Sequence, residues 1–243
     1  MYAINISSKR YAELSGTIDT VIIPTGSFEA HGMHCPLGTD ILIPEQMCKD
    51  IEATSSKEFL IAPPVNYGYT PTLSSFSGTI TIPAETLISL YSEIGTGFIR
   101  WGAKNIVFMN GHGGNIPMLS IACDKIAKAG GTALVLSWWT TFSADILKIC
   151  RTQGHAGEDE TSAILAINAS LVDNSSLSIN MKKVFCVPLS GPTQQKARFP
   201  NAMNGDSTAA TLEKGKRLYA MLLKKNLEYI KRLSDGDFMN PIL

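Results

Sequence analysis

Long apolar runs are missing from this chain. No stretch of its 243 residues approaches 18 uninterrupted apolar positions, so no segment reads as a membrane-crossing helix. The opening MYAINISSKRYAELSG carries no apolar core of the signal-peptide kind. Neither sign of charge is in excess: 21 basic residues stand against 21 acidic ones. The usual electrostatic attraction to nucleic acid or to an anionic membrane is therefore absent, and little repulsion opposes association between copies. Cysteine is scarce and unpatterned. Cys35, Cys48, Cys123, Cys150 and Cys186 form no C-x-x-C pair and are odd in number, which fits a reducing compartment better than a disulfide framework. The expectation is a cytoplasmic protein with neither a nucleic-acid nor a membrane partner. Histidine is scarcest of all, with four in the chain, and their placement carries most of the functional reading.

With 44% apolar residues the chain can bury a large core, and residues 1–243 read as a single domain. Short β-branched runs at 20–27 (TVIIPTGS), 59–65 (FLIAPPV), 104–110 (KNIVFMN), 132–139 (TALVLSWW) and 182–189 (KKVFCVPL) read as strands. Between them, residues 39–56, 83–102, 115–131, 157–173 and 207–235 show helical spacing or helix-entry and helix-exit signals. Residues 67–83 read as a loop rich in turn formers. Alternation of this kind predicts an α/β fold with a largely parallel central sheet flanked by helices.

Chemistry in such a sheet gathers beyond the carboxyl ends of the strands. All four histidines fall in three segments placed after predicted strands: GSFEAHGMHCPLGTD (26–40), NGHGGN (110–115) and GHAGEDETS (154–162). Glu29 and His31 are two residues apart, so extended backbone points both side chains to one side. Asp40 follows a Pro- and Gly-containing loop able to return to that pair, and it also suits an N-cap of the next helix. Imidazole and carboxylate together suit Zn, Mn, Fe or Co. Glu158 and Asp159 read as acids complementing a helix dipole, whereas Glu160 precedes an apolar helix face close to His155. Cys35 reads as a small packed thiol beside the histidines. Ser77 and Thr79 either line a pocket or cap turns.

The glycine cluster in FMNGHGGN (108–115) admits two readings. A phosphate loop ends in Gly-Lys-Ser or Gly-Lys-Thr and a dinucleotide fingerprint needs G-x-G-x-x-G; the chain offers G-x-G-G-N. The glycines instead allow a tight turn at a strand end that carries His112 toward Glu29, His31 and Asp40.

These three segments, with PPVNYGYT and FSGTITIPAETL between them, resemble the signature blocks of the creatininase (creatinine amidohydrolase) family, over roughly residues 20 to 172. The resemblance implies an α/β metallohydrolase with one or two divalent ions (Zn, Mn or Fe) that cleaves a non-peptide C–N bond, in a cyclic amide or a formamide. It places Glu29, His31, Asp40 and His112 on metal-ligand positions, with Asp40 bridging, and His155 and Glu160 on catalytic ones. It also implies a homo-oligomer, a hexamer or another dimer-based assembly. Relatives with GHGGN extend the range to nucleotide deformylation, trimming of a modified peptide and hydrolysis of inositol-derived ketoses or lactones; a metal-binding module without turnover is the contrasting expectation. Creatininase itself carries a glutamate two residues after the block-two histidine and an indole four residues before the block-three histidine. Here those positions are Gly114 and Arg151, so the resemblance is to a GHGGN-type member rather than to creatininase. Trp139 matches a second substrate-stacking tryptophan, and Arg151, Lys196 and Arg198 either meet an anionic substrate or are solvated.

Overall fold

The computed structural model describes residues 1–55, 59–181 and 197–237. Its centre is a four-stranded sheet: β1 (Thr20–Thr25), β2 (Leu60–Ile61), β3 (Asn105–Asn110) and β4 (Thr132–Ser137), in the order β2-β1-β3-β4 with every pairing parallel. Helices α1 (Ser8–Leu14), α2 (Thr39–Thr54), α3 (Ala84–Arg100), α4 (Ile116–Lys128), α5 (Trp138–Thr141), α6 (Ser143–Ile146), α7 (Glu158–Asn168) and α8 (Leu212–Ser234) surround it. A second, two-stranded antiparallel sheet joins β5 (Ile179–Asn180) to β6 (Gly205–Asp206).

The period-2 geometry of a strand explains the layering. Val21 and Ile23 of β1 and Ile106 and Phe108 of β3 face one way, packing with Leu87 and Tyr91 of α3 and Leu119 and Ile126 of α4. Ile22, Val107 and Met109 face the other way, onto Ile43, Met47 and Ile51 of α2, Ile164 of α7 and Leu218 and Leu222 of α8. Both faces are covered, so the middle of each long strand is apolar on both sides, as a parallel sheet requires. Each such side chain contributes about 1.5–3 kcal/mol on burial.

The elements depart from the sequence reading at identifiable places. Residues 59–65 give only a two-residue strand and an isolated bridge from Val65 to Thr25, because Pro63 and Pro64 cannot donate to a ladder. Trp138 and Trp139 do not extend β4. The chain turns into α5 after Ser137, and Trp138 is buried beneath the helices. The helix expected over 157–173 ends at Asn168 and continues as a 3-10 turn, Ala169–Leu171. The long C-terminal helix starts late, at Leu212, where the Thr211 hydroxyl accepts the Lys214 N–H at 3.2 Å. The strand expected at 182–189 lies outside the described residues. Among those described, no helix is long and apolar enough to cross a membrane.

Strand register sets up the site. Thr25, Asn110 and Ser137 lie side by side at the carboxyl edge. The Asn110 side chain ties them together, donating to the Ser137 hydroxyl at 2.9 Å and accepting from Thr25 at 3.4 Å.

Candidate functional site

Asp40 is the pivot of the site. It is not an N-cap: Gly38 precedes the helix, Thr39 is its first residue, and Asp40 lies one position inside α2. Pro44, four residues on, has no N–H to donate to the Asp40 carbonyl. That carbonyl instead lies against two glycines just past the strand ends. A Cβ on Gly26 would sit 2.4 Å from it, and one on Gly111 2.0 Å. Glycine at both positions therefore lets the first turn of α2 approach the sheet edge and directs the Asp40 carboxylate between His31 and His112.

His31 Nε2 lies 2.9 Å from Asp40 Oδ1 and 3.7 Å from Glu160 Oε2, while its Nδ1–H donates to the Glu29 carbonyl at 3.1 Å. His112 Nδ1 lies 2.9 Å from Asp40 Oδ2 and 3.3 Å from Glu29 Oε2, and its Nε2–H donates to the Tyr69 carbonyl at 2.9 Å. His155 donates from Nε2 to the Ala30 carbonyl at 2.9 Å, leaving Nδ1 3.8 Å from Glu29 Oε1. Its ring centroid is 4.2 Å from that of His31. Glu160 Oε2 accepts the Ala156 N–H at 2.7 Å. Ala156 adopts φ +54°, a left-handed conformation that costs a non-glycine residue about 1–2 kcal/mol. That cost is borne where the turned backbone meets Glu160, a common place for stored strain. All six residues singled out in the sequence thus converge. Their donor atoms form three overlapping groups of metal-holding type: Glu29, Asp40 and His112; His31, Asp40 and Glu160; Glu29, His31 and His155.

Burial and mutual charge set the protonation states. Burial alone would lower His31, but the adjacent Asp40, Glu160 and Glu29 outweigh it and push its pKa from 6.5 up to about 10. The same contest raises His112 well above its ordinary value, with Glu29 and Asp40 overcoming burial. Asp40 is held far below the carboxylate range despite its burial, through His31 and His112. His155 moves the other way: burial and the charged His31 lower it to about 4. Burial lifts Glu160 to about 8, with Asp40 and Asp159 adding to the rise.

The cluster forms one wall of a cavity of about 660 Å³. Trp139, Tyr69, Thr70, Phe199, Arg198 and Met181 also line it. Arg198 is the one lysine or arginine among the described residues that does so, and its guanidinium carbon lies 5.6 Å from the Phe199 ring centroid. Arg151 does not border the cavity, nor do Ser77 and Thr79; Thr79 accepts the Ala30 N–H at 3.0 Å instead. Lys196 lies outside the described residues. Cys35 contacts Thr161 at 3.6 Å, and burial pushes its thiol up to about 12, which fits an inert packed group. His34 pairs with the Thr161 hydroxyl at 3.0 Å and belongs to none of the donor groups.

Two acids do more than complement a dipole. Glu158 is fully buried and accepts the N–H groups of Arg151 and Thr152 at 2.8 and 2.9 Å while pairing with Lys214 of α8. Asp159 borders the cavity and accepts the Gly154 N–H at 3.2 Å, and burial lifts it to about 6. Neither role shows in a sequence where acids at a helix entry are ordinary. The Tyr69 carbonyl was equally hidden, being main chain. A sharper signal lay in Gly114: a Cβ there would fall 1.9 Å from the Tyr69 oxygen and 2.5 Å from His112 Nε2. This backbone has no room for any side chain at that position.

Comparison with known proteins identifies the family. The family model described as "Creatininase: Creatinine amidohydrolase" matches residues 5–230. A mycofactocin precursor peptide peptidase of Mycobacterium ulcerans is 32% identical over 236 residues, covering 93% of this chain and 90% of that protein. A creatinine amidohydrolase of Pseudomonas putida is 30% identical over 174 residues, covering 63% and 66%. The solved structure "Creatininase Mn" superposes with a TM-score of 0.85 at 24% identity, over 95% of this chain and 97% of that one. With a family model spanning nearly the whole chain, and a peptidase relative matched over more of its length than creatinine amidohydrolase, the chain belongs to the creatininase family as a member distinct from creatininase itself.

Proposed function

We propose that this protein is a divalent-metal-dependent hydrolase of an amide C–N bond in a small polar substrate. The observation that carries the reading is the trio of donor groups meeting at Asp40 on a cavity wall. Its donors are imidazole nitrogen and carboxylate oxygen, a set that suits Mn, Zn or Fe. Glu29, Asp40 and His112 would hold one ion, and His31, Asp40 and Glu160 a second, with Asp40 shared. Such an ion polarises a carbonyl and lowers the pKa of water toward about 7.

The chain's own residues supply the remaining parts. Ser27 donates to Glu29 Oε2 at 2.8 Å and Ala156 to Glu160, so both carboxylates are oriented before any ligand arrives. The Ala30 carbonyl keeps the His155 proton on Nε2 and leaves Nδ1 as the lone pair beside Glu29. A proton taken up at Nδ1 from the attacking water would be passed on to the leaving nitrogen, so His155 ends the step as it began. Trp139 and Phe199 offer flat apolar walls, and Arg198 offers a cation for an anionic group.

Substrate size bears on the class. A cavity of about 660 Å³ falls within the range of roughly 300–1,000 Å³ that encloses a drug-sized ligand. This favours a short or modified peptide with a free carboxylate over a single small ring, and the peptidase description of the Mycobacterium relative points the same way. Cyclic amides and formamides form the competing class. The test is a substrate panel of short peptides, cyclic amides, formamides and inosose lactones, run on chelator-stripped protein before and after addition of Mn²⁺ or Zn²⁺. We expect amide hydrolysis that disappears with the metal and returns with it. Equal turnover by stripped and loaded protein, or no amide turnover by protein of full metal content, would overturn the reading.

A further inference from the structure

We propose that Asn115 is a positioning residue for His112, acting through the main chain of Tyr69. The inference rests on the metal-holding reading of His112.

The Asn115 side chain is completely buried and bridges two backbone segments. Its Oδ1 accepts the Tyr69 N–H at 3.1 Å, and its Nδ2 donates to the Gly26 carbonyl at 2.9 Å. It thereby ties the 68–70 segment to the residue that follows β1. The Tyr69 carbonyl then accepts the His112 Nε2–H at 2.9 Å. A carbonyl can only accept, so this contact keeps a proton on Nε2 and commits Nδ1 to Asp40 and Glu29. Which ring nitrogen of a histidine meets a metal is set by the hydrogen bond made at the other.

Two glycines make the geometry possible. A Cβ on Gly68 would lie 2.8 Å from Asn115 Oδ1 and 2.8 Å from the Gly26 carbonyl, so the bridge closes only over a bare backbone. Gly114 opens the space in which the Tyr69 oxygen reaches the ring. Asn110 grips the other side of the same histidine, accepting its N–H at 3.1 Å and donating to its carbonyl at 2.9 Å. The two asparagines of NGHGGN thus divide the work: Asn110 fixes the His112 backbone, and Asn115 fixes the acceptor that orients the ring.

The test uses the full chain with Asn115→Ala and, from the other side of the contact, Gly114→Ala. Three quantities are read: solvent exchange of the His112 Nε2–H by NMR in metal-free protein, Mn²⁺ affinity by competition with a chelator, and the urea unfolding midpoint. Wild-type protein should show a protected Nε2–H. Both variants should lose that protection and bind Mn²⁺ about ten- to a hundredfold more weakly, the usual effect of removing a partner that orients a ligand. Folded variants that keep the protected Nε2–H and wild-type affinity would overturn the positioning role, even if their urea midpoint fell. Wild-type protein that binds none of Mn²⁺, Zn²⁺ and Fe²⁺ in the same competition would overturn the metal reading and the positioning role with it.

Discussion

Replacing Glu158 by alanine separates two descriptions of the same residue. As an acid in the first turn of α7 it would interact only with the helix dipole, worth about 0.3–1 kcal/mol. The structure gives it a different place. Its carboxylate is wholly buried, accepts two backbone N–H groups and the Thr152 hydroxyl, and pairs with Lys214 of the C-terminal helix. Alanine would leave those N–H groups without their acceptor and Lys214 without its counter-charge. Breaking one partner of a buried pair costs about 3–5 kcal/mol. The Lys214 side chain remains 21% exposed and also donates to the Ala209 carbonyl, which places the cost toward the lower end. At about 2–4 °C per kcal/mol for a chain of this size, the melting temperature should fall by about 6–20 °C, against no more than about 4 °C for a dipole effect alone. Calorimetry or urea denaturation of Glu158→Ala, Lys214→Met and the double variant decides between them. A loss below about 1 kcal/mol, with the two substitutions additive, would refute the buried-anchor description.

Other outcomes follow from the same geometry. Gly111→Ala should cost about 1–3 kcal/mol of stability and weaken metal binding, since its Cβ would meet the Asp40 carbonyl at 2.0 Å; unchanged metal affinity would show that the first turn of α2 need not sit so close. In metal-free protein, His31 is raised from 6.5 to about 10, so its contribution is complete below about 6.5 and is lost as pH rises through about 10. Glu160, raised from 4.5 to about 8, acts in the same direction, because the unfolded chain releases its proton first. His155, lowered to about 4, and Asp40, lowered from 3.8, remove stability on the acid side. Thermal melts in EDTA should therefore decline as pH rises from about 6.5 toward 10, where His31, His112 and Glu160 all act in one direction, and a flat profile over that alkaline range would count against the buried charge cluster. Arg198→Ala should raise KM about tenfold for carboxylate-bearing substrates with kcat unchanged, the lower end for losing a charge-assisted contact at an exposed residue; equal effects on neutral substrates would remove Arg198 from recognition.

The sequence was most informative where one physical cause governs. The β-branched runs of β1 and β3 have no comparably favourable alternative to buried strands, and the residues following them had to lie at the carboxyl edge. Glu29, His31, Asp40, His112, His155 and Glu160 were legible because histidine is scarce and lies beside carboxylates in those segments. Legibility ended where two causes compete or where the group is main chain. Trp138 and Trp139 continue an apolar strand pattern, yet the chain turns into α5 after Ser137, which buries Trp138 in the core and leaves Trp139 on the cavity wall. Ser8–Leu14 is short and polar, so its helix has no periodic signal. Asp40 suits an N-cap by type, but the chain enters α2 at Gly38 and places the carboxylate one position inside. Glu158 is indistinguishable in sequence from a solvated helix-entry acid, and the Tyr69 carbonyl has no side-chain signature. Gly114 stands out in the sequence only for the ligand it lacks, whereas its place against Tyr69 emerges in three dimensions.

Metal stoichiometry tests the central proposal most directly. Protein purified without chelator, as wild type and as Asp40→Asn, would be analysed for Mn, Zn and Fe together with its turnover of amide substrates. Because Asp40 belongs to two of the donor groups, one substitution should strip both ions and abolish hydrolysis while the fold persists. Asp40→Asn protein that retains full metal and full turnover would contradict the shared-carboxylate site.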